Sequence, residues 1–348
     1  MSQNRRCLPQ LEDSLFLTDG ELENSLSLQD GLDVPGLAAF DLLQRSAGRS
    51  ALKRYYARYA ALARSHGVGV VLESATMRAK PDWGAILGYD ADALAHVQRS
   101  AIELLMETRS AFESADTAVV ISGTVGPRTD GYNPALRMST YEAAYYHAPR
   151  IETFARTAAD MVTARGMSYV EEASGITLAA SAYSVPVVIS LKPGSRGLLH
   201  SGDTLGEAIE RIDAESRRYP SYYMIECTHA MHLAEMLGAG GAWVQRIRGV
   251  RMTRDHSRLD MGNAEALSAR CWRMRELLPH LAVIGVDYEG VEMITSTASA
   301  APVVSEEVAV SHLYSSEFVI GSKDGRSGAA LMRPARPATV GVRPSLIA

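Results

Sequence analysis

The chain has 348 residues, 47% of them hydrophobic and 22% charged, with a formal net charge of −5. That balance suits a folded globular protein and excludes a strongly basic binder of nucleic acid or of an anionic membrane surface. No apolar run approaches the roughly 20 residues of a membrane span, and the three cysteines at 7, 227 and 271, with no CxxC pair among them, exclude a disulfide framework and the usual structural zinc spacing.

The first residues, "MSQNRRCLPQLEDS", lack the apolar centre of a signal peptide, so a cytoplasmic protein with an N-terminal tail over 1–13 is expected. From there, short β-rich runs recur: "LFLTDG" (15–20), "GVVLESAT" (69–76), "AVVISGTVGP" (118–127), "ADMVTAR" (159–165), "VPVVISLKP" (185–193), "YYMIEC" (222–227), "GAWVQRIRG" (241–249) and "LAVIGVDY" (281–288). Most are nearly continuous apolar runs, as in parallel strands covered on both faces. Helical patterns lie between them. "AFDLLQRSAGRSALKRYYARYAALARSHG" ends at a glycine suited to a C-cap, "DADALAHVQRSAIELLMETRSAFES" opens with capping aspartates, and "STYEAAYYHAPRIETFARTA" sets Ser139 three places before Glu142, a capping box.

Eight alternations of strand and helix predict a single α/β domain, a (β/α)8 TIM barrel over 14–295, ahead of an open doubly wound sheet. No GxGxxG follows the first strand, which counts against a dinucleotide-binding sheet. From residue 296 the chain becomes rich in Ser, Ala and Pro, and 296–348 is expected to be a C-terminal extension, partly disordered or forming an interface that supports a homo-oligomer.

Chemistry in such a barrel sits at the C-terminal strand ends. These positions hold Asp19 and Glu21; Glu73 and Thr76; Ser122, Thr124 and Arg128; Thr163 and Arg165; Lys192; Glu226, Cys227 and His229; Arg248 and Arg251; and Asp287, Tyr288 and Glu289. Apolar runs ending in carboxylates are not explained by packing, because an unpaired buried carboxylate is costly. These acids either meet something cationic or pair with the arginines and Lys192. Each residue also has an ordinary reading. Asp19 before Gly20 suits a turn, Glu171 and Glu172 suit solvated charges in a first helical turn, and Cys227 suits a small core position. His232 suits a cap or a packing position, Cys271 an outer helix, and Cys7 the tail.

The stretches "LTDGELENSL" (17–26), "VVLESATMRAKPDWGAILGY" (70–89), "ISGTVGPRTDGY" (121–132), "VTARGMSYVEEA" (162–173) and "YYMIECTHAMH" (222–232) give the chain a resemblance to the homocysteine S-methyltransferase family, extending over about 14–295. The family is a pterin-independent TIM barrel. The resemblance implies a zinc ion on three thiolates, one from an Asn-Cys-x-His motif on the sixth strand and two from a Cys-Cys pair after the eighth. The metal keeps homocysteine sulfur a thiolate, ready to attack the methyl group of a sulfonium or ammonium donor.

Cys227 occupies the first thiolate position, but the Cys-Cys pair is missing; Val286, Asp287 and Tyr288 stand at about that place. Glu21 replaces the family's second glycine after the first strand, and Glu226 the asparagine before the cysteine. The resemblance thus implies a rebuilt site with Cys227, Glu226, Asp287 and Glu21 as catalytic candidates. Cys227, His229 and Asp287 are the candidate ligands of one divalent metal (Zn, Mn or Fe), with a metal-free site as the alternative. Asp19 and one of Glu171 or Glu172 hold, by resemblance, the amino end of an amino-acid-like substrate, with Thr76 and Thr163 beside them. Methyl transfer to a thiol amino acid is the first expected activity. Acid/base chemistry on an amino-acid-like or cationic substrate, by a carboxylate-rich site lacking the three-cysteine zinc centre, is the second.

Overall fold

A computed structural model describes residues 2–252 and 278–285, except 13, 21, 29–31, 66, 130–132, 195, 228, 229 and 239, and except the side chains of 24, 28, 35, 227, 230–232 and 252. The strands β1 (Phe16–Thr18), β2 (Gly69–Glu73), β3 (Val119–Val125), β4 (Met161–Met167), β5 (Val187–Leu191), β6 (Tyr222–Cys227), β7 (Ile247–Met252) and β8 (Val283–Gly285) pair in parallel in that order, and β8 pairs with β1 to close the ring. The described helices between them are α1 (Leu22–Leu28), α2 (Ser46–Ser65), α3 (Pro81–Leu87), α4 (Ala91–Phe112), α5 (Thr140–Ala155), α6 (Val170–Ala182), α7 (Leu205–Ser216) and α8 (Ala230–Leu237). This is the (β/α)8 TIM barrel. The caps fall where the sequence places them: Asp90 accepts from the Ala93 N–H, and Ser139 and Glu142 form a complete capping box. Among the described residues no helix is long and apolar enough to cross a membrane.

Strand alternation divides the side chains into two sets. Outward residues such as Leu17, Val70, Leu72, Ile121, Val162, Ile189 and Ile225 join the helices in one large core. Inward residues near the strand starts, Phe16, Val71, Val120, Met161, Val188, Tyr222, Met224 and Val283, fill the lower barrel. Nearer the C-terminal ends the filling turns polar: Thr18, Glu73, Ser122, Thr163, Ser190 and Arg251 are all buried. The floor is therefore apolar, and the mouth is lined by groups that must satisfy one another.

The segment expected as an N-terminal tail packs under this floor. Leu8 joins the inward cluster, and Gln10, fully buried, donates from Nε2 to the Tyr222 hydroxyl at 3.4 Å. Arg5 donates to the carbonyls of Ala155 and Ala159 at 2.8 and 2.6 Å, and the Ser2 hydroxyl and Asn4 N–H both donate to Asp160 at 2.9 Å.

The seventh strand also departs from expectation. Residues Ala242–Arg246 of "GAWVQRIRG" form a 3-10 helix, and the strand begins only at Ile247. Gly240 and Gly241, at φ +61° and +137°, turn the chain there, and Trp243 lies against Gly206 so closely that a Cβ on that glycine would meet its ring at 2.8 Å. Arg248 consequently lies toward the floor, donating to the Leu11 carbonyl at 3.3 Å, and not at the mouth. The expected helix and third cysteine between β7 and β8, and the 296–348 extension, lie outside the described residues.

Candidate active site

Two arginines organise the mouth. Arg251, fully buried on β7, donates from Nη2 to Glu73 Oε1 at 2.5 Å and from Nη1 to the backbone carbonyl of Asp19. It thereby ties β7 to β2 and β1. Arg165, from β4, donates to the Gly20 carbonyl at 2.9 Å and stands 3.9 Å from Glu73 Oε2. Burial opposes its charge, but Glu73, Glu226 and Asp19 outweigh that effect and raise its pKa, holding the guanidinium protonated.

Two bulges aim these groups. β4 gains one residue relative to β5 between Ala164 and Met167, with Gly166 at φ +73°, a left-handed conformation that favours glycine. The Gly166 N–H points to Glu226 Oε1 at 2.8 Å, and the Ser190 hydroxyl donates to the same oxygen at 2.9 Å. The ladder between β6 and β7 shifts past Arg248, so Arg248 and Arg251, three apart, break strict two-residue alternation.

Three tyrosines of α2 hold the ends of β1 and β2 from outside. Tyr55 donates to Asp19 Oδ2 at 3.4 Å, Tyr56 to the Glu73 carbonyl at 2.8 Å, and the Gly20 N–H donates to the Tyr59 hydroxyl at 3.3 Å. Asp19 is 1% exposed. Burial first, and then the neighbouring Glu73, push its carboxyl up to about 7, against the opposing pull of Arg251 and Arg165. It is a group able to gain or lose a proton near neutrality.

The structure brings together only part of the expected site. Asp19 and Glu226 lie in the mouth, linked through the Arg165–Glu73–Arg251 network. Glu21, His229 and Asp287 lie outside the described residues, as does the side chain of Cys227, whose backbone ends β6. Thr163 is inside the barrel but shares a 2.7 Å hydrogen bond with Ser122. Thr76 is turned to structural use, donating to the Thr124 carbonyl at 2.8 Å and bonding Ser74 at 2.7 Å.

Of Glu171 and Glu172, one of which was expected at the substrate's amino end, neither joins the strand-end acids. Glu171 faces outward from α6 and pairs with Arg211 at 2.7 Å, beside a shallow surface depression of about 570 Å³ whose lining includes none of the strand-end acids. Glu172 is fully buried against α5, accepting from His147 at 2.9 Å and from the Arg128 N–H at 2.6 Å. Both sit in the first turn of α6, past the strand end; the β4 residue that reaches the mouth is Arg165. Sequence reasoning placed Glu73, Arg165 and Arg251 near strand ends without assigning them to the site. The signal was there: an arginine within the apolar run "IRGVRM" needs a buried partner.

The profile of the homocysteine S-methyltransferase family matches residues 16–245. The chain belongs to the homocysteine S-methyltransferase family. It is thus an enzyme of the methyltransferase class. Among solved structures, it is similar to the homocysteine methyltransferase MmuM from Escherichia coli in its oxidized form, with 15% identity over 85% of this chain and 100% of that one and a TM-score of 0.69. The metallated form of the same protein matches at 16% identity over 84% and 100% of the two chains, with a TM-score of 0.68. At these identities the likeness is one of fold. No curated protein sequence matches the chain.

Zinc is the metal this family implies. Among the described residues no group of three or more His, Cys, Asp or Glu side chains is placed to hold a metal ion. Arg251 occupies Glu73 Oε1, leaving Oε2 without a hydrogen-bond partner, and Gly166 and Ser190 occupy Glu226 Oε1, while two guanidiniums in the same space repel a dication. The expected ligands Cys227, His229 and Asp287 lie outside the described side chains.

Proposed function

We propose that the protein transfers a methyl group from a sulfonium or ammonium donor to the thiol of an amino-acid-like acceptor, at the C-terminal mouth of its barrel. Family membership supports the reaction class. The observation that carries the site is the convergence of Asp19, Glu73, Arg165, Glu226 and Arg251, each at most 9% exposed, at the ends of β1, β2, β4, β6 and β7.

The reaction needs a thiolate and in-line approach. A new C–S bond forms between the acceptor sulfur and the methyl carbon, the methyl–onium bond breaks, and the donor leaves neutral. Because an anion and a cation are consumed together, the site has little new charge to stabilise and one proton to remove. Asp19 is the group suited to take it: its carboxyl is held at about 7, near the ordinary thiol value of about 8.5. Glu73 stands beside it, paired with Arg251 and 3.9 Å from Arg165.

A second reading, acid/base chemistry on an amino-acid-like or cationic substrate without methyl transfer, is favoured by the same raised Asp19. One experiment separates the two. Freshly purified protein is analysed for bound metal and then incubated with homocysteine and each of three methyl-deuterated donors, S-methylmethionine, S-adenosylmethionine and betaine, with the product followed by mass spectrometry. Label on the acceptor sulfur, lost in Asp19→Asn and Glu226→Gln variants that remain folded, is the expected result. No labelled thioether from any donor would reject thiol methylation and leave the acid/base reading.

A further inference from the structure

A second buried cluster stands beside the mouth, and the chemistry above does not use it. Lys80 precedes α3, His147 and Arg150 come from α5, and Glu172 from α6; all are at most 6% exposed. Charged groups are costly to bury unless each is engaged. Here they grip one short stretch of backbone after β3. Arg150 donates to the Gly126 carbonyl at 3.2 Å, and Lys80 donates to the carbonyls of Pro127 and of Arg128, the latter at 2.9 Å. Glu172 accepts the Arg128 N–H at 2.6 Å.

His147 orders the cluster. Arg150 only donates, so its contact with Nδ1 leaves Nδ1 as acceptor and puts the ring proton on Nε2, which donates to Glu172 Oε1 at 2.9 Å. Burial, and then Arg150, push this histidine down to about 4, so it is neutral.

The gripped loop lies beside the active-site bulge. A Cβ placed on Gly166 would lie 3.8 Å from Pro127 Cδ and 3.6 Å from Met77 Cε, while the Gly126 N–H donates to the Met77 carbonyl at 3.2 Å. Gly166 in turn donates to Glu226.

We propose that Lys80, His147, Arg150 and Glu172 form a latch that sets the 126–128 loop and, through Pro127 against Gly166, fixes where Glu226 and Arg165 stand in the mouth. Glu172 is then a positioning residue and not a substrate ligand. The proposal rests on the mouth being the reacting site, but its first test needs no substrate.

Amide hydrogen exchange is measured residue by residue in the full chain for wild type, Glu172→Ala, Glu172→Gln and Lys80→Met. Loss of a charge-assisted bond of this kind is expected to speed exchange about tenfold or more. In Glu172→Ala and Lys80→Met the Arg128 and Gly166 amides should both open, while Val71 and Leu72 of β2 stay protected. Glu172→Gln should behave as wild type, since a neutral amide oxygen accepts both bonds when His147 is uncharged. In the thiol methylation assay the opened variants should raise KM with a smaller change in kcat. If Gly166 stays protected while Arg128 opens, if all amides open together, or if Gln does not rescue, the latch is overturned. Should Glu172→Ala not fold, Lys80→Met decides alone. An inactive wild type would reject the methyl-transfer reading and leave the exchange result standing.

Discussion

Arg251 reaches from β7, past β8 and β1, to pair with Glu73 on β2 at 2.5 Å, with both side chains at most 2% exposed. This ion pair joins two halves of the ring where the described length of β8 is only three residues. Removing one partner strands the other charge in the interior. Arg251→Met is expected to cost about 3–5 kcal/mol. Adding Glu73→Gln should recover much of that loss, because the stranded charge is gone. Guanidinium denaturation of both single variants and the double variant tests this; costs that simply add would refute the pairing.

Room for that arginine depends on Gly285. A Cβ there would lie 2.8 Å from Thr18 Cγ2 and 3.2 Å from Arg251 Cγ. Gly285→Ala should therefore force Thr18 or Arg251 aside and lower stability by about 1–3 kcal/mol. A melting temperature equal to wild type would mean the barrel yields there without strain.

Asp19 should give the protein a pH-dependent stability of definite sign. Its folded pKa, about 7, is above the ordinary 3.8. The folded state thus holds the proton more tightly, and the contribution is full below about 3.8 and is lost as pH rises through about 7. Asp19→Asn, which carries no charge to desolvate, should flatten the fall in melting temperature between pH 5 and 8. The comparison is made by thermal melts of both proteins across that range. If the two profiles stay parallel, Asp19 is not the group responsible.

The N-terminal segment should prove part of the barrel's stability. Deleting residues 1–12 uncovers the floor under Phe16, Met161 and Tyr222, removes buried Leu8 and Gln10, and strips Asp160 of two donors. Loss of Leu8 burial alone is worth about 1.5–3 kcal/mol. The truncated chain is expected to unfold at lower denaturant and to bind a hydrophobic dye. An unchanged midpoint would mean the floor is sealed without it.

Parallel strands covered on both faces leave a local signature of continuous apolar runs. All eight expected strands therefore overlap the observed ones, the seventh over only 247–249, and the caps at Asp90 and Ser139 are where their residue types place them. The seventh strand was misplaced because Trp243 and Val244 have β-like chemistry, while a pair of left-handed glycines and the seat at Gly206 turn them into a 3-10 helix. The acids at strand ends were legible for the same local reason: an apolar run that stops at Asp19, Glu73 or Glu226 must place a charge at the rim.

Which of those charges meet was decided by tertiary structure alone. Arg251 and Glu73 are 178 residues apart, and Glu226 and Gly166 are 60 apart; no window of sequence contains either pair. Two bulges, at Arg165–Gly166 and at Arg248, shift the alternation by which inward and outward residues are read. Glu171 and Glu172 are adjacent and chemically identical, yet the turn of α6 sends one to Arg211 in solvent and the other into a sealed contact with His147. Local sequence determines which elements form and which residue types end them. Ring closure, bulge position and helix rotation are set by long-range packing, and they determine which buried charge answers which.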